Sequence, residues 1–280
     1  MPNDVVKYHN DLNMVSMRNW TAEDMNFFFA IISKIRDLGT EEINLTTDEI
    51  KKIINYDDRE NRWVKILDSI GDKISSLRYI EKSDKKVAYF MIFQRFVIDI
   101  DEKTVNLKVS SDFEYIVNKL TRHFTTYELA EFTQIRSTYA KTMYRILKQW
   151  RTVGVKEFKI EEFKRLLDMP EYYKPSQINK NVLTPIRKEL PQYFKDLKIK
   201  VIKANTQGTP VIAYRFTWQA EKTNAWDPNK YNKTSKKKKP YRSEYGAEEA
   251  KNYAAKRRQK WFEEIAADRE KKWTIELFKN

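Results

Sequence analysis

Residues 160–190 read IEEFKRLLDMPEYYKPSQINKNVLTPIRKEL, and this stretch decides the fold. Its first part, IEEFKRLLDM, carries apolar residues at the spacing of one helical face. After a break that contains two tyrosines, QINKNVLTPIRKEL repeats that spacing and places Val182, Leu183, Ile186 and Leu190 on a core-facing side. Two helices joined by a short turn are typical of the helix-turn-helix.

The sequence around this pair predicts one more helix and three strands. STYAKTMYRILKQWRTVG, residues 137–154, has one apolar stripe and ends at a glycine, as helices commonly do. EFKI follows as a short extended piece, and a hairpin closes the unit with LKIKVIKA and VIAYRFTW around the turn NTQGTP. Helix, strand, two helices and a hairpin is the element order of a winged helix-turn-helix.

The first half of the chain predicts the same order. VVKYHN reads as a strand, and Thr21 as the N-cap of a helix over TAEDMNFFFAIISKIRDLG with acidic residues in its first turn. EEINLT is a short extended piece, and TTDEIKKIINY and ENRWVKILDSIGDKISSL are two helices. Residues 78–110 then predict strands with turns at 83–86 and 101–103.

The two halves also match position by position, which favours an internal duplication; shared helical periodicity is the alternative explanation. The sequence thus predicts an α+β protein of two tandem winged-helix domains, at residues 1–120 and 121–219, with a basic, partly helical tail at 220–280. The first three matched pairs share one sequence offset, and the last three share an offset that is two residues smaller. The pairs are Gly39 and Gly154, Ile43 and Phe158, Leu45 and Ile160, and then Ile50 and Phe163, Ile53 and Leu166, and Ile54 and Leu167.

The tail differs in composition from the rest of the chain. From Lys222 onward there are 17 Lys or Arg against 9 Asp or Glu. DPNKYNKTSKKKKPYR has no apolar periodicity and predicts a flexible linker, whereas the Ala-, Glu-, Lys- and Arg-rich sequence after residue 244 favours a helix. Three roles stay open: contacts to phosphates that read no sequence, a solvated extension, or a hinge to a partner protein.

Charge and composition restrict the function. The formal charge of +14 and the pI near 9.5 favour a polyanionic partner, either nucleic acid or an anionic membrane surface. No apolar run approaches the about eighteen residues of a membrane span, and the N-terminus lacks the order of a signal peptide. The absence of cysteine excludes a disulfide, a thiolate zinc site and a cysteine nucleophile, and suits a reducing cytosol.

Signs of enzymatic chemistry are weak. The five glycines lie far apart, which excludes a Walker A or dinucleotide-binding loop, and His9 and His123 are too distant in sequence for a His-x-His metal site. VIDID places Asp99 and Asp101 on one side of a strand, the spacing of metal-binding carboxylates in polymerases and primases. An acidic pair that blunts an edge strand is the commoner explanation. We therefore expect no catalysis, no cofactor and no bound metal.

The third helix of the second unit is the candidate for base contacts, because this element of a helix-turn-helix enters the major groove. Its outward side chains are rich in amide and guanidinium groups, which pair with adenine and guanine edges. Pro185 removes one backbone donor and predicts a bend. An exposed helix face without any partner is the alternative. The expected DNA-binding residues are Lys174, Ser176, Gln177, Asn179, Lys180, Asn181, Thr184, Arg187 and Lys188.

Two further sets are expected to hold the DNA backbone. In the second unit, the helix over residues 137–154 presents a basic side opposite its apolar stripe, and this side, with the neutral turn at 205–210, is placed to hold phosphate. In the first unit the corresponding helix carries fewer such residues, and they lie among acidic ones, which weakens the local field. The basic turn at 83–86 is expected to be the wing of this unit, as the turn at 205–210 is of the second. The sets are Arg136, Ser137, Lys141, Arg145, Lys148 and Gln207, and Arg59, Asn61, Arg62, Lys65, Lys85 and Lys86.

These motifs together resemble the RepB-like family of plasmid replication initiators, which bind iterons, the short direct repeats of a plasmid origin. The resemblance covers about residues 1–219 in architecture and is most specific over residues 133–218. The residues that carry it are Ser137, Tyr139 and Tyr144; Phe158 to Ile160; Leu166 and Leu167; Asn179, Val182, Leu183, Pro185, Lys188 and Glu189; and Phe216.

The resemblance implies a cytoplasmic, plasmid-associated bacterial protein that binds double-stranded origin DNA without enzymatic activity. The second domain would read the repeat, and the first would help to bind or would mediate a homodimer in equilibrium with the monomer. It also implies recruitment of the host initiator and replicative helicase, and repression of the protein's own gene. Two alternatives stay open: a winged-helix transcriptional regulator, and a metal-dependent primase or nuclease that uses Asp99 and Asp101.

Overall fold

A computed structural model describes residues 5–36, 38, 40–56, 60–82, 85–118, 120 and 123–222, with the backbone alone at 60, 61, 79, 81 and 82. The linker and helix predicted for the tail after residue 222 therefore lie outside the described residues. Among those described, no helix is both long enough and apolar enough to cross a membrane.

The described residues of the first half form three helices and six strands. Two 3-10 turns accompany them: Asn10–Met14 follows β1, and Ser111–Ile116 follows β6. The elements are β1 (Val5–His9), α1 (Ala22–Ile35), β2 (Glu42–Thr46), α2 (Thr47–Ile53), α3 (Glu60–Ser76), β3 (Arg78–Lys82), β4 (Val87–Met91), β5 (Phe93–Asp99) and β6 (Thr104–Val109).

The second half begins with a strand and a short helix that the sequence did not predict, and then follows the predicted order. A π-helical turn, Asn179–Leu183, separates its last two helices. The elements are β7 (Phe124–Glu128), α4 (Leu129–Gln134), α5 (Thr138–Gln149), β8 (Val155–Lys159), α6 (Ile160–Leu166), α7 (Pro175–Ile178), α8 (Thr184–Glu189), β9 (Lys198–Lys203) and β10 (Val211–Thr217).

Local side-chain chemistry sets where the helices begin and end. Thr21 is the N-cap of α1, as the sequence predicted, and it forms a capping box with Asp24. Thr46 and Glu49 form another at the start of α2. Beyond α5, Gly154 has a φ of 75°, and a Cβ there would lie 2.8 Å from the Trp218 carbonyl oxygen. A glycine is therefore required where the chain leaves α5 for the sheet.

Sheet topology confirms two tandem winged helices. One antiparallel sheet has the order β2-β6-β5, and the other has the order β8-β10-β9, so each consists of the strand that precedes the helix pair and the hairpin that follows it. Two further antiparallel strand pairs are additional to this plan. One joins β1 to β7, the strand that precedes α4 and α5, and the other joins β3 to β4. The proposed domain boundaries at residues 120 and 219 stay predictions.

The duplication is real in topology, but part of the predicted alignment is wrong. Leu45 and Phe158 both stand one residue before the end of their strand, and both are buried. Phe158 therefore corresponds to Leu45, not to Ile43. The sequence offset between the halves changes by two residues before the strands, not after them. The matched helix residues from Ile50 and Phe163 onward keep the predicted correspondence, and Gly39 lies outside the described residues.

The first unit's wing also differs from the sequence prediction. In the second unit the wing turn lies between β9 and β10, so its counterpart is the turn between β5 and β6, residues 100–103. The basic turn predicted as a wing, which contains Lys85 and Lys86, instead joins the additional hairpin β3–β4. Alternating strands looked alike in sequence, and only the sheet pairing shows which hairpin closes the unit.

Candidate nucleic-acid interface

The helical segment predicted to read bases separates cleanly into a buried and an exposed side. We call residues 174–189 the reading segment. Ile178, Val182, Leu183, Ile186 and, just past the segment, Leu190 are buried, which confirms the predicted core face for the four residues named from sequence. The candidate contact residues Lys174, Ser176, Asn179, Lys180, Asn181, Thr184, Arg187 and Lys188 are exposed, and Gln177 is half-buried.

The segment begins at a defined cap. The backbone N–H of Lys174 donates to the Gln177 Oε1 at 2.7 Å, and Pro175 occupies the first turn, where its missing N–H costs no helical hydrogen bond. Gln177 is thereby held at the N-terminal end instead of extending outward. Gln177 is thus a predicted base contact that the structure already engages in capping.

A wide turn lies where the sequence predicted a bend. The residues Asn179–Leu183 form a π-helical turn just ahead of Pro185, and the Thr184 hydroxyl donates to the Asn179 carbonyl oxygen at 2.9 Å. Arg187 donates from Nη1 to the Asn179 Oδ1 at 2.9 Å. The turn thus brings one amide and one guanidinium, the two groups best suited to bidentate base contacts, side by side on the exposed face.

The cations of the reading segment are available to an anion. Within the described part of the chain, Lys174, Lys180 and Lys188 form no ion pair. Gln207 is exposed in the wing turn, as predicted. Three further lysines, Lys198, Lys200 and Lys203, are exposed on the wing strand β9. They were not predicted as DNA contacts, although three lysines within KIKVIK are a visible signal in the sequence.

At the start of α5, one predicted backbone contact is exposed and the other is a cap. Arg136 is exposed, while the Ser137 Oγ accepts from the Ala140 N–H at 3.3 Å. The Glu189 carboxylate accepts the backbone N–H of Arg136 at 2.6 Å and that of Ser137 at 3.3 Å. The end of the reading segment is thereby tied to the start of α5.

The rest of the predicted basic face of α5 is buried, and that prediction is wrong. Arg145 is 1% exposed, and its guanidinium donates to the Tyr8 hydroxyl at 3.1 Å and to the Leu12 carbonyl oxygen at 2.9 Å. It also lies 4.6 Å from the centroid of the Phe29 ring, the distance of a cation–π contact. Arg145 therefore ties α5 to the first elements of the chain and does not face DNA.

Lys141 and Lys148 are buried in the same way. Lys141 donates to the Asn26 Oδ1 at 2.6 Å and to the Phe132 carbonyl oxygen at 2.5 Å, and burial lowers its pKa to about 7. Lys148 pairs with the Glu131 carboxylate at 3.2 Å, while the Tyr144 hydroxyl donates to the same carboxylate at 2.6 Å. Burial and the Glu131 charge raise the pKa of Tyr144 well above its usual value.

These burials arise because α5 has neighbours on both sides. It packs against the reading segment's α8 and also against β7, the turn Asn10–Met14 and α1. Its basic side chains contact α1, α4, β1 and that turn. An amphipathic pattern indicates one buried face, but it does not reveal a second neighbour that covers the basic face.

The first unit offers fewer candidates. In α3, Trp63, Leu67 and Ile70 are buried, and Ile66 is half-buried. Arg62 is exposed but pairs with the Glu23 carboxylate at 3.0 Å, while Lys65 is exposed and has no ion pair among the described residues. Lys85 and Lys86 are exposed on the β3–β4 turn. Arg59 and the side chain of Asn61 lie outside the described residues.

The carboxylate pair of the enzyme alternative is not arranged as predicted. Strand β5 ends at Asp99, and Asp101 lies exposed in the following turn. The Asp99 Oδ1 accepts from the Glu102 N–H at 2.8 Å, so this carboxylate closes the turn. The prediction that both acids share one strand face is wrong. Among the described residues, no three His, Cys, Asp or Glu side chains are grouped to hold a metal ion.

Comparison with known proteins agrees with this fold. A family model described as "Initiator Replication protein, WH1" matches residues 5–148, and one described as "Initiator Rep protein, WH2" matches residues 159–218. The probable replication protein rep of Bifidobacterium longum (strain NCC 2705) is 32% identical over 195 residues, which span 68% of this chain and 65% of that relative. The solved Pi initiator protein in complex with iteron DNA has a TM-score of 0.62 at 11% identity, over 79% of this chain and 100% of the other. At that identity the likeness concerns the fold.

Proposed function

Because the chain belongs to the initiator Rep protein family through both its WH1 and its WH2 domain, we propose that it starts plasmid replication by binding direct repeats at the origin. The observation that carries this proposal is the reading segment, whose amides and cations are exposed on one face over a buried apolar base. Such a face combines groups that distinguish bases with cations that attract phosphate.

The second winged helix would read the repeat. Its exposed Asn179, Lys180, Asn181, Thr184 and Arg187 are the base contacts we propose, with the amide and guanidinium of Asn179 and Arg187 already side by side. Lys174 and Lys188 would hold phosphates at either end of the segment, as would Arg136 at the start of α5 and the lysines of β9. Lys141, Arg145 and Lys148 are no longer part of the proposed interface because they are buried.

The first winged helix would contact the same DNA less extensively. Lys65 on α3, Lys85 and Lys86 on the β3–β4 turn, and Lys103 on the wing turn are among its exposed cations. Two winged helices on one repeat would span about two helical turns, each turn being 10 to 10.5 base pairs. The fold neighbour solved on iteron DNA supports this arrangement by analogy.

We also propose that the additional hairpin β3–β4 mediates a homodimer. Its cross-strand partners Ile80 and Tyr89 are exposed on one face, with Met91 and Val87 beside them. Tyr89 is 59% exposed, although Arg78 lies over its ring at 5.3 Å. A contiguous apolar patch on a two-stranded hairpin favours association with another protein surface, and a second copy offers an identical one.

In this proposal the protein acts in the bacterial cytoplasm without enzymatic activity. At the origin it would recruit the host initiator and the replicative helicase, and it would repress its own gene by occupying nearby repeats. The winged-helix fold and the groove contacts are shared with transcriptional regulators, so DNA binding alone does not separate the two roles.

The test combines binding with plasmid maintenance. The full chain should bind a duplex that carries the direct repeats flanking its gene at least about 10³-fold more tightly than a scrambled duplex at the same salt concentration. A plasmid whose only initiator gene is this one should be maintained. Equal affinity for both duplexes would contradict repeat recognition, and strong binding without maintenance would identify a regulator instead.

A further inference from the structure

A carboxylate in the helix turn of the second winged helix connects it to the first. Asp168 follows α6, and its Oδ1 accepts the Ser16 hydroxyl at 2.8 Å while its Oδ2 accepts the Met17 backbone N–H at 3.0 Å. Ser16 and Met17 lie between β1 and α1, more than a hundred residues earlier in the chain. The reading segment begins shortly after Asp168, so this contact links the turn that positions it to the first unit.

The local backbone does not explain why an aspartate stands here. The Asp168 N–H donates to the Arg165 carbonyl and the Met169 N–H to the Lys164 carbonyl, the two bonds of a Schellman motif at the end of α6. The residue at this position has a φ of 49°, where glycine or asparagine is usual. A carboxylate at a helix C-terminus also opposes the helix dipole. The choice of Asp is unfavourable locally and must be compensated elsewhere.

The duplicated position in the first unit supplies the comparison. Asn55 follows α2 at the same place in the motif, with a φ of 52°, and the Tyr56 N–H donates to the Lys51 carbonyl at 2.8 Å. Here the usual asparagine occupies the left-handed position. The same backbone geometry therefore carries an amide in one unit and, in the other, a carboxylate whose two oxygens accept from Ser16 and Met17.

From these observations we infer that Asp168 is a positioning residue that, beside the β1–β7 pair and buried Arg145, holds the turn ahead of the reading segment on the first unit and so makes binding sensitive to the spacing within a repeat. This inference rests on the proposed function. One inserted base pair moves one half of a DNA site by about 3.4 Å and rotates it by about 35° relative to the other half. A rigid pair of winged helices cannot follow both changes, whereas a pair with a released contact adapts to them.

The test uses duplexes in which one or two base pairs are inserted between the halves contacted by the two winged helices. For the wild-type chain, a single insertion should weaken binding by at least about tenfold, the loss of one good base contact. In Asp168→Gly, which suits the positive φ but removes both acceptors, the penalty should fall below about threefold. Asp168→Asn keeps one carbonyl acceptor for Met17, and its amide can donate to the Ser16 hydroxyl, so the spacing penalty should be retained.

A matched control is Asp196→Gly. Asp196 is an exposed carboxylate of the same winged helix with a φ of 60°, and it has no hydrogen bond to any described residue of the first unit. Its spacing penalty should equal that of the wild type. If Asp168→Gly kept the full penalty, the inference would be overturned. If the wild type did not prefer the repeat to scrambled DNA, the proposed function itself would fail.

A second measurement needs no DNA. The chain has no cysteine, so Lys65→Cys with Lys188→Cys places two spin labels on exposed sites, one in each unit. Pulsed electron paramagnetic resonance should give one narrow distance distribution for the wild-type background, for Asp168→Asn and for Asp196→Gly. The distribution should be at least about twice as broad in Asp168→Gly. Equal widths in all four proteins would refute a positioning role.

Discussion

Replacement of Arg145 by methionine tests whether this cation stabilises the fold or binds DNA. The guanidinium donates to the Tyr8 hydroxyl and the Leu12 carbonyl oxygen, and more distantly to the Asn13 Oδ1 at 3.3 Å. Methionine retains much of the apolar stem but leaves these buried acceptors without their donor. Hydrogen bonds to charged groups contribute about 1.5 to 3 kcal/mol each, so the loss of two at the lower value costs about 3 kcal/mol.

Two assays measure the two roles. For a unit of this size, about 3 kcal/mol corresponds to a fall of about 6 to 12 °C in the melting temperature, which differential scanning calorimetry resolves. The slope of log affinity for repeat DNA against log salt concentration should not change in the folded variant, because Arg145 releases no counterion.

Lys188→Met is the matched control, since Lys188 is exposed at the end of the reading segment and is proposed to hold a phosphate. It should lower the magnitude of the salt slope by about 0.9 and change stability by no more than about 0.5 kcal/mol. The reasoning would be refuted if Arg145→Met reduced the salt slope by about 0.9 while its melting temperature stayed within about 2 °C of the wild-type value.

Two more predictions concern Lys141 and the hairpin β3–β4. The pKa of Lys141 is lowered to about 7 in the folded protein, so between pH 7 and about 10.4 the unfolded chain binds one more proton and stability rises with pH. From pH 7.5 to 9.5, urea unfolding should therefore show the wild type gaining about 2 kcal/mol relative to Lys141→Met; parallel pH profiles would contradict this. Tyr89→Ser should raise the dissociation constant of the dimer about tenfold in sedimentation equilibrium. Tyr172→Ser, at a tyrosine that is 71% exposed outside the hairpin, should leave that constant unchanged. Equal effects of the two substitutions would show that the hairpin is not the dimer interface.

Where local patterns decide the structure, the sequence was sufficient. The apolar spacing of the reading segment identified Val182, Leu183 and Ile186 as core and left the amides and cations outside, as the structure has them. The cap of α1 at Thr21 and the glycine beyond α5 followed from side-chain and backbone chemistry that acts within a few residues.

The sequence-based predictions were wrong where a second packing neighbour or the choice of strand partner determines the structure. The basic side of α5 looked exposed because a helical pattern does not reveal that α1, α4, β1 and the turn Asn10–Met14 cover it. The wing of the first unit was assigned to the wrong hairpin because β3–β4 and β5–β6 have similar alternation, and only pairing with β2 distinguishes them. The contact of Asp168 with Ser16 and Met17 had no signal in the sequence, since it joins residues that are adjacent only in the fold.

The central claim is that the reading segment discriminates the repeat from other DNA. The most direct measurement is the ratio of dissociation constants for scrambled and repeat duplexes at one salt concentration, in the wild type and in Lys180→Ala with Asn181→Ala. Each lost base contact should lower the ratio by a factor that corresponds to about 1 to 3 kcal/mol, while Lys148→Met, at a buried lysine, should leave the ratio of the folded protein unchanged. An unchanged ratio in the double variant, with binding to the repeat intact, would contradict the account and place recognition on another surface.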